Sequence, residues 1–493
     1  MTALPDAARR LRFGIPASLC IAWLTSAAVV PTSTCRAEDW PGFLGPRGNG
    51  VSGETGLLDR WPQAGPPVLW KKKVGEGYSA PSVRGDSLVF FHRVGDEEIV
   101  ECLDPQTGEP RWRFAYPTTF VDPYGYNGGP RCSPVLDERR CFTFGAEGRL
   151  SCVDLATGNE LWHRDTRRDF DVPQAFFGVG STPVLHGEKL LVMIGGHPRA
   201  GVVAFDAATG KTVWESVGPA DFPDPPVRIQ RDRPPVKLAS YSSPLVASIH
   251  GHDHLLCLMR PGLVSLDPAT GKQRFAVWFR SHLHDSVNAA RPVVIDGRIF
   301  LSAAYGTGAM LLDVARDGLS STVAWQDAEA MQTHWSTAIE HKGHLYGFSG
   351  RNEPEADLRC IRASDGSLVW RFPDADPGRP AAEDDGRIPF GRGAAILAED
   401  RLIVMGERGT LALVAADSDR FHEISRFQPA EFGHPCWTAP VLSERRLFVT
   451  GARQAPGLAG LSTSEYHLVC YDLAAPKQSP PRPTQPQPHG DSR

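Results

Sequence analysis

No two of the ten cysteines in this chain are adjacent, and no Cys-x-x-Cys pair occurs anywhere. That removes covalently attached c-type haem and thioredoxin-like redox pairs from the available functions. A Gly-x-Ser-x-Gly elbow and a His-Glu-x-x-His motif are also missing, so nothing marks a serine hydrolase or a zinc protease. Positive charge is short too: 52 Lys and Arg face 57 Asp and Glu, a net charge of −5. A chain this acidic, without a basic stripe, is excluded as a nucleic-acid binder.

Turn-forming residues are what the chain has in quantity. There are 49 Gly and 43 Pro beside 41% hydrophobic residues, which points to many tight turns around a real core rather than to long helices. A length of 493 residues would ordinarily suggest two or more domains. A radial array of repeats, however, takes up such a length as one domain.

The first 37 residues read as a secretory signal. Arg9, Arg10 and Arg12 form a basic start, Phe13 to Val30 an apolar stretch, and Cys35-Arg36-Ala37 places small residues at −3 and −1. Cleavage is expected after Ala37, which assigns the protein to the periplasm or the exterior. The mature chain then loses four Arg and one Asp, reaching −8, and carries no transmembrane segment. Neither Cys20 nor Cys35 has the context of a lipid anchor. Eight cysteines remain. Cys102, Cys152, Cys360 and Cys470 hold equivalent places in four of the repeats, so they fall on separate sheets, and even neighbouring sheets lie about 10 Å apart, beyond disulfide reach.

A self-similar segment recurs along the chain. It reads CLDPQTGEPRW at 102–112, CVDLATGNELW at 152–162, AFDAATGKTVW at 204–214 and SLDPATGKQRF at 265–275, with weaker copies at 311–325, 360–370, 413–421 and 470–473. Asp and Thr bond backbone groups in the turn, Gly supplies positive φ, and a new strand carries a Trp four residues later. The expected role of Trp112, Trp162, Trp214, Trp325 and Trp370, with Phe275 as substitute, is to dock neighbouring sheets. Ahead of each hairpin lies another strand pair, opened by segments such as CSPVL (132–136), STPVL (181–185) and SSPLV (242–246). Alternating apolar residues between Gly, Asp and Asn turns predict four antiparallel strands per repeat.

Eight openings are visible, but the last repeat stops at Tyr471-Asp472-Leu473, and a Pro/Gln tail (476–493) without apolar period follows. The missing strand is supplied by PPVLWKKKV at 66–74, which carries Trp70. Its pairing with the last repeat would remove two open edges at once. The expected fold is all-β: an eight-bladed β-propeller of four-stranded antiparallel blades over 38–475, closed by the N-terminal strand.

Ala204, Asp206, Thr209, Gly210 and Trp214 match AxDxxTGxxxW in full. That motif resembles the pyrroloquinoline-quinone-like (PQQ-like) propeller repeat shared by quinoprotein alcohol dehydrogenases and by BamB, the propeller of the outer-membrane assembly machinery. The opening DWPGFLGPRGNG (39–50) is similar to that of secreted, BamB-like propellers common in planctomycete bacteria. The resemblance implies a fold over 40–473 but constrains function weakly.

It also implies where to look. In such a propeller the residues before each inner strand ring one channel mouth: Tyr78, Arg131, Gly180, Tyr241, Ala289, Trp335, Arg392 and Trp437, with Asn288, His334 and His434 beside them. Arg131, Tyr241, Asn288, His334, Trp335, Arg392, His434 and Trp437 are the candidate ligand-binding residues. Guanidiniums fork carboxylates and aromatics stack on planar groups, so the ring suits an anionic or planar ligand. At a solvated mouth the two Arg should carry little of the stability. His282-x-His284-Asp285 offers at most two metal ligands, so no metal site is assigned.

Two functions stay open. One is a non-catalytic, monomeric binding or scaffold module that recognises a cell-envelope protein, a peptide or a small ligand at the mouth. The other is a PQQ-dependent dehydrogenase oxidising alcohols or sugars. In the enzymes that the chain resembles, PQQ lies between a Trp floor and a vicinal-cysteine disulfide, with an Asp base and Ca²⁺ held by Glu, Asn and Asp. This sequence offers no Cys-Cys pair and no recognisable Ca²⁺ set. No cofactor and no catalytic residue is assigned.

Overall fold

Each Asp-x-x-Thr-Gly segment forms the tight turn between the third and fourth strands of a blade. Asp206 Oδ1 accepts from the Thr209 N–H at 2.8 Å and from its hydroxyl at 2.7 Å, and Gly210 takes φ +68°. Asp154 with Thr157 and Asp267 with Thr270 repeat the arrangement. A second demand falls on the same glycine, because the Trp of the preceding blade packs against it. A Cβ at Gly210 would lie 2.7 Å from Trp162 Cδ2, and one at Gly158 would lie 2.6 Å from Trp112 Cε3. The indole N–H completes the dock. Trp112 donates to Leu155 O at 2.8 Å, Trp162 to Ala207 O at 3.1 Å, Trp325 to Ala363 O at 3.0 Å and Trp370 to Asp417 O at 2.8 Å. Trp214 keeps the packing against Gly271 without an acceptor for its N–H among the described residues.

The computed structural model describes residues 38–476 except 174–176, 225–236, 284–285, 353–354, 374–387 and 456–462. Residues 1–37, expected to be a signal segment, nearly all of the tail, and parts of 217–240 and 373–392 therefore lie outside the described residues. Among the described residues, thirty-two strands build eight four-stranded antiparallel sheets. Seven blades are consecutive: 82–117, 135–165, 184–216, 245–278, 293–327, 339–372 and 394–427. The eighth, 441–472, takes its fourth strand from the other end of the chain. Val68–Val74 pairs antiparallel with Thr463–Asp472, placing Trp70 opposite Cys470 and Val74 opposite Tyr466. Trp70 docks as its repeat counterparts do, donating to Pro105 O of the first blade at 3.1 Å. The fold is the eight-bladed propeller expected, closed by the N-terminal strand.

Blades are also stitched around the channel by side-chain hydroxyls at equivalent places in four opening segments. Ser133 Oγ accepts from Ala80 N at 3.3 Å, Thr182 Oγ1 from Ser133 N at 3.1 Å, and Ser243 Oγ from Thr182 N at 2.9 Å. Thr337 does the same for Arg291 N at 3.0 Å. Each hydroxyl thus satisfies a backbone donor of the neighbouring blade that would otherwise be buried unpaired.

Residues 38–58 carry no repeat motif that announces their role. They run across the far ends of the inner strands. Trp40 bridges to Val83 in the first blade, and Pro41 O accepts from Leu136 N in the second. Gly50 and Ser52 exchange 2.8 Å bonds with Leu397 in the seventh blade, and Leu58 N reaches Leu473 O. From the fifth blade, buried Arg291 donates to Phe43 O at 3.2 Å and Gly48 O at 3.0 Å, as well as to Pro244 O at 3.0 Å. Arg291 stands where Ser or Thr stands in the neighbouring blades, and burial pushes its pKa down to about 10. This segment shuts one end of the channel.

All eight cysteines of the propeller are buried and unpaired, and Cys102, Cys152, Cys360 and Cys470 fall on four separate sheets. Burial pushes the Cys102 thiol up to about 11 and the Cys152 thiol up to about 12, which leaves both unreactive.

Closure predicts two outcomes. Trp70→Ala should cost about 3–5 kcal/mol in denaturant unfolding, through lost packing and a lost hydrogen bond. Deleting residues 38–75 should expose two strand edges and the channel floor, giving oligomers by size-exclusion chromatography. A truncated chain that stays monomeric with an unchanged Tm would contradict the closure.

Candidate functional site

The loops entering the inner strands and the turns between second and third strands meet at the open end of the channel. Trp437 is the hub. Its ring centroid lies 5.1 Å from Tyr78, 5.2 Å from Tyr126 and 6.4 Å from Trp335. Tyr126 and Tyr124 reach Phe177 at 6.0 and 5.1 Å, and Phe177 meets Tyr241 edge-on at 5.4 Å. The Tyr241 hydroxyl accepts from Phe177 N at 2.9 Å. These contacts make a continuous aromatic arc from Trp335 to Tyr241.

Both arginines of the ring are engaged. Arg392 lies 5.1 Å from the Trp437 ring and bonds Glu407 through Nε at 3.0 Å and through Nη2, while Nη1 donates to Arg351 O at 3.0 Å. Glu407 has no exposed side-chain surface. It also accepts from Trp437 Nε1 at 2.9 Å, and His434 Nε2 lies 3.4 Å away. Burial alone would raise the Glu407 carboxyl, but the Arg392 and Trp437 donors hold it below its ordinary range. Arg131 donates to Asp122 Oδ2 at 2.7 Å and Asn127 O at 2.8 Å, and its guanidinium sits 5.0 Å from the Phe120 ring. The two cations put forward as forks for an external carboxylate are thus spent on internal ones.

His334 is half-buried beside this network, with Nε2 at 3.2 Å from the Tyr305 hydroxyl and Nδ1 at 3.5 Å from Arg392. Arg351 covers the Tyr305 ring at 4.5 Å. Burial, with the Arg392 and Arg351 charges, pushes the His334 pKa down to about 4, so the ring is neutral at pH 7. Asn288 is turned away from solvent. It is 2% exposed, and its amide donates to Met259 O and Phe279 O at 2.9 Å each, which brackets the fourth blade to the fifth.

Between the aromatic arc and the N-terminal segment lies a chamber of about 50 Å³. Tyr78, Arg131, Trp335 and Trp437 line it at the mouth end, Phe43 and Leu44 at the closed end, and small residues such as Ser133, Ala394 and Ala439 between them. It has room for one or two waters. Among the described residues no group of three or more His, Cys, Asp or Glu is placed to hold a metal ion. His284 and Asp285 lie outside those residues.

Several residues of the mouth escaped the sequence reading: Asp122, Tyr124, Tyr126, Phe177, Tyr305 and Glu407. Glu407 and Tyr305 sit in turns between second and third strands, which share this face. The parallel between FGAEG (144–148) and MGERG (405–409) was a usable signal for those turns.

A family model described as outer membrane protein assembly factor BamB, built on the PQQ-type repeat, matches residues 59–222 and 198–351. The chain belongs to this family. BamB from Moraxella catarrhalis superposes with a TM-score of 0.51 at 13% identity, covering 84% of this chain and 99% of that one. A europium-containing methanol dehydrogenase gives 0.62 at 12% identity over 88% and 98% of the two chains. Such low identities establish the shared fold alone. Quinohemoprotein alcohol dehydrogenases of Pseudomonas putida and Comamonas testosteroni are 26% and 22% identical over 163 and 202 residues. Those stretches cover 31% and 38% of this BamB-family propeller, but only 21% and 26% of the dehydrogenases.

The pairing of Arg392 with Glu407 reverses the expectation that mouth arginines matter little for stability. Arg392→Ala leaves a fully buried carboxylate without its cation and should cost about 3–5 kcal/mol in equilibrium unfolding. Stability within 0.5 kcal/mol of wild type, roughly the effect of a surface substitution, would refute the buried pair. A pH test addresses His334. Its folded pKa near 4 lies below the ordinary 6.5, so its contribution is fully present above pH 6.5 and is lost as pH falls from 6.5 to 4. His92 and His254 are pushed down to about 4 as well, so wild-type Tm should fall through this window. His334→Gln should flatten that fall without abolishing it.

Proposed function

We propose that this propeller is a non-catalytic binding module of the cell envelope that docks a protein or peptide on the aromatic arc at its channel mouth. The observation that carries this reading is the combination of an exposed apolar rim with a chamber of only about 50 Å³ beneath it. Val121 is 77%, Tyr124 55% and Tyr126 50% exposed, on the loop that reaches Trp437. Tyrosines of this kind are rigid, amphipathic anchors, the residues that dominate protein interfaces. The charges around them are neutralised internally, which favours an apolar or aromatic partner segment over a strongly charged one.

The family match to a protein described as an outer-membrane assembly factor supports a protein partner and an envelope location. The signal-like start of the chain agrees with that location.

The sequence match to quinohemoprotein alcohol dehydrogenases favours the second reading, a PQQ enzyme. The residues present do not fit the cofactor. Sites that bury small organic ligands run to about 300 Å³ and more, against the roughly 50 Å³ found under Trp335 and Trp437. No cysteine pair is available to cover a quinone, and the arginines that would meet its carboxylates are already bonded to Asp122 and Glu407.

Replacing Tyr124 and Tyr126 together by Ala should weaken partner capture by about 2 kcal/mol or more, roughly thirty-fold, with Tm nearly unchanged. Quantitative pull-downs from envelope extract on both forms read this out. Identical capture by the double variant would remove the arc as the docking surface. Turnover of an alcohol in a dye-linked assay with added PQQ and Ca²⁺ would overturn the non-catalytic reading.

A further inference from the structure

The segment that shuts the channel holds a buried carboxylate with an unusual set of donors. Glu54 is 1% exposed, and its oxygens accept from backbone nitrogens: Oε1 from Glu38 at 3.1 Å, Oε2 from Arg445. Burial raises its carboxyl above the ordinary range, even though backbone N–H groups and the Arg445 charge oppose that rise. Residue 38 is fixed from the other side as well. The Glu38 carboxylate takes 2.8 and 3.2 Å bonds from Arg47 and a 2.6 Å bond from Gly53 N. Its carbonyl accepts from Ser443 Oγ of the eighth blade at 2.9 Å. The backbone nitrogen of one particular residue is therefore delivered to a carboxylate that lacks bulk water.

Residue 38 is also the one that the sequence places immediately after the expected cleavage point. The two observations are independent, since one rests on small residues at 35 and 37 and the other on contacts made by 38, 54 and 445.

We propose that Glu54 is the receptor for the chain's own α-ammonium, created when the bond between Ala37 and Glu38 is hydrolysed. Water supplies the hydroxyl to the departing Ala37 carboxylate, and the amine left on Glu38 takes up a proton. A nitrogen that offered one neutral N–H then offers three donors and a positive charge. The cost of burying Glu54 is already borne by the fold, so the new charge adds attraction and a charge-assisted hydrogen bond. Processing thereby fastens the segment that spans the eighth, first, second and seventh blades.

The test crosses two changes in the exported, full-length mature protein. One is Glu54→Gln. The other is a Gly-Ser extension that keeps residue 38 as an internal amide. The intact mass of the exported wild type should begin at Glu38 with a free amine. A different start, or a cyclised first residue, would overturn the proposal. The extension alone should lower Tm by about 3 °C. Glu54→Gln should lower it clearly in the processed chain and by less in the extended one. Equal losses in the two backgrounds would overturn the proposal, because Glu54 would then be serving backbone amides only. Should the Gln variant fail to fold, the extension alone decides: an unchanged Tm refutes the ion pair. Selective acylation of the α-amine gives a further readout, slow in wild type and fast in Glu54→Gln.

Discussion

The pairing of Val68–Val74 with Thr463–Asp472 is the contact on which the others depend. Five blades dock a Trp on the glycine of the next, so every such dock assumes a neighbour. A linear array would leave the first and last sheets with bare edges and with one dock unfilled. Joining the ends converts a row of marginal interfaces into a ring in which each interface holds the rest at a fixed angle. Only then do the inner strands surround a channel, and only then does a mouth exist at which residues separated by hundreds of positions can meet.

The parts of this architecture that were legible in the sequence are those that repeat. Asp154-x-x-Thr157-Gly158 and its copies mark turns because side-chain bonding and positive φ are local demands. The Trp four residues on marks the dock because no other large aromatic recurs at that spacing. The closing strand could be inferred by counting, since eight openings faced seven complete blades and Trp70 was left over. Residues 38–58 were opaque for the opposite reason. They form no regular strand, so Trp40, Pro41 and Phe43 carry no period, and their partners are set by the finished ring. Glu407 was hidden for a related reason: a single acid in a turn has no meaning until Arg392, fifteen positions earlier, is folded over it.

Charge and packing at the mouth follow one plan. Asp122 and Glu407 take up Arg131 and Arg392, and the pairs hold the loops that display Tyr126, Trp335 and Trp437. Arg291 at the closed end is a contrasting case, a buried cation satisfied by the carbonyls of Pro244, Phe43 and Gly48. At one end ion pairs stiffen a surface that stays exposed. At the other a single guanidinium pins a segment that covers the channel. The same residue type thus supports display at one face and occlusion at the other.

The order in which the chain is made gives the closing strand a further burden. Its partner lies nearly four hundred residues downstream, so it emerges first and must wait while seven blades form. Loop-closure entropy rises only slowly with such a separation, and the hazard lies in the waiting. An unpaired apolar strand is a template for any other chain nearby. Lys71, Lys72 and Lys73 interrupt that template with three consecutive positive charges. Once the ring shuts, Lys71 meets Glu431, Lys72 meets Glu101 and Lys73 meets Glu465. The charges that keep the waiting strand soluble are those that its rightful neighbours are built to receive.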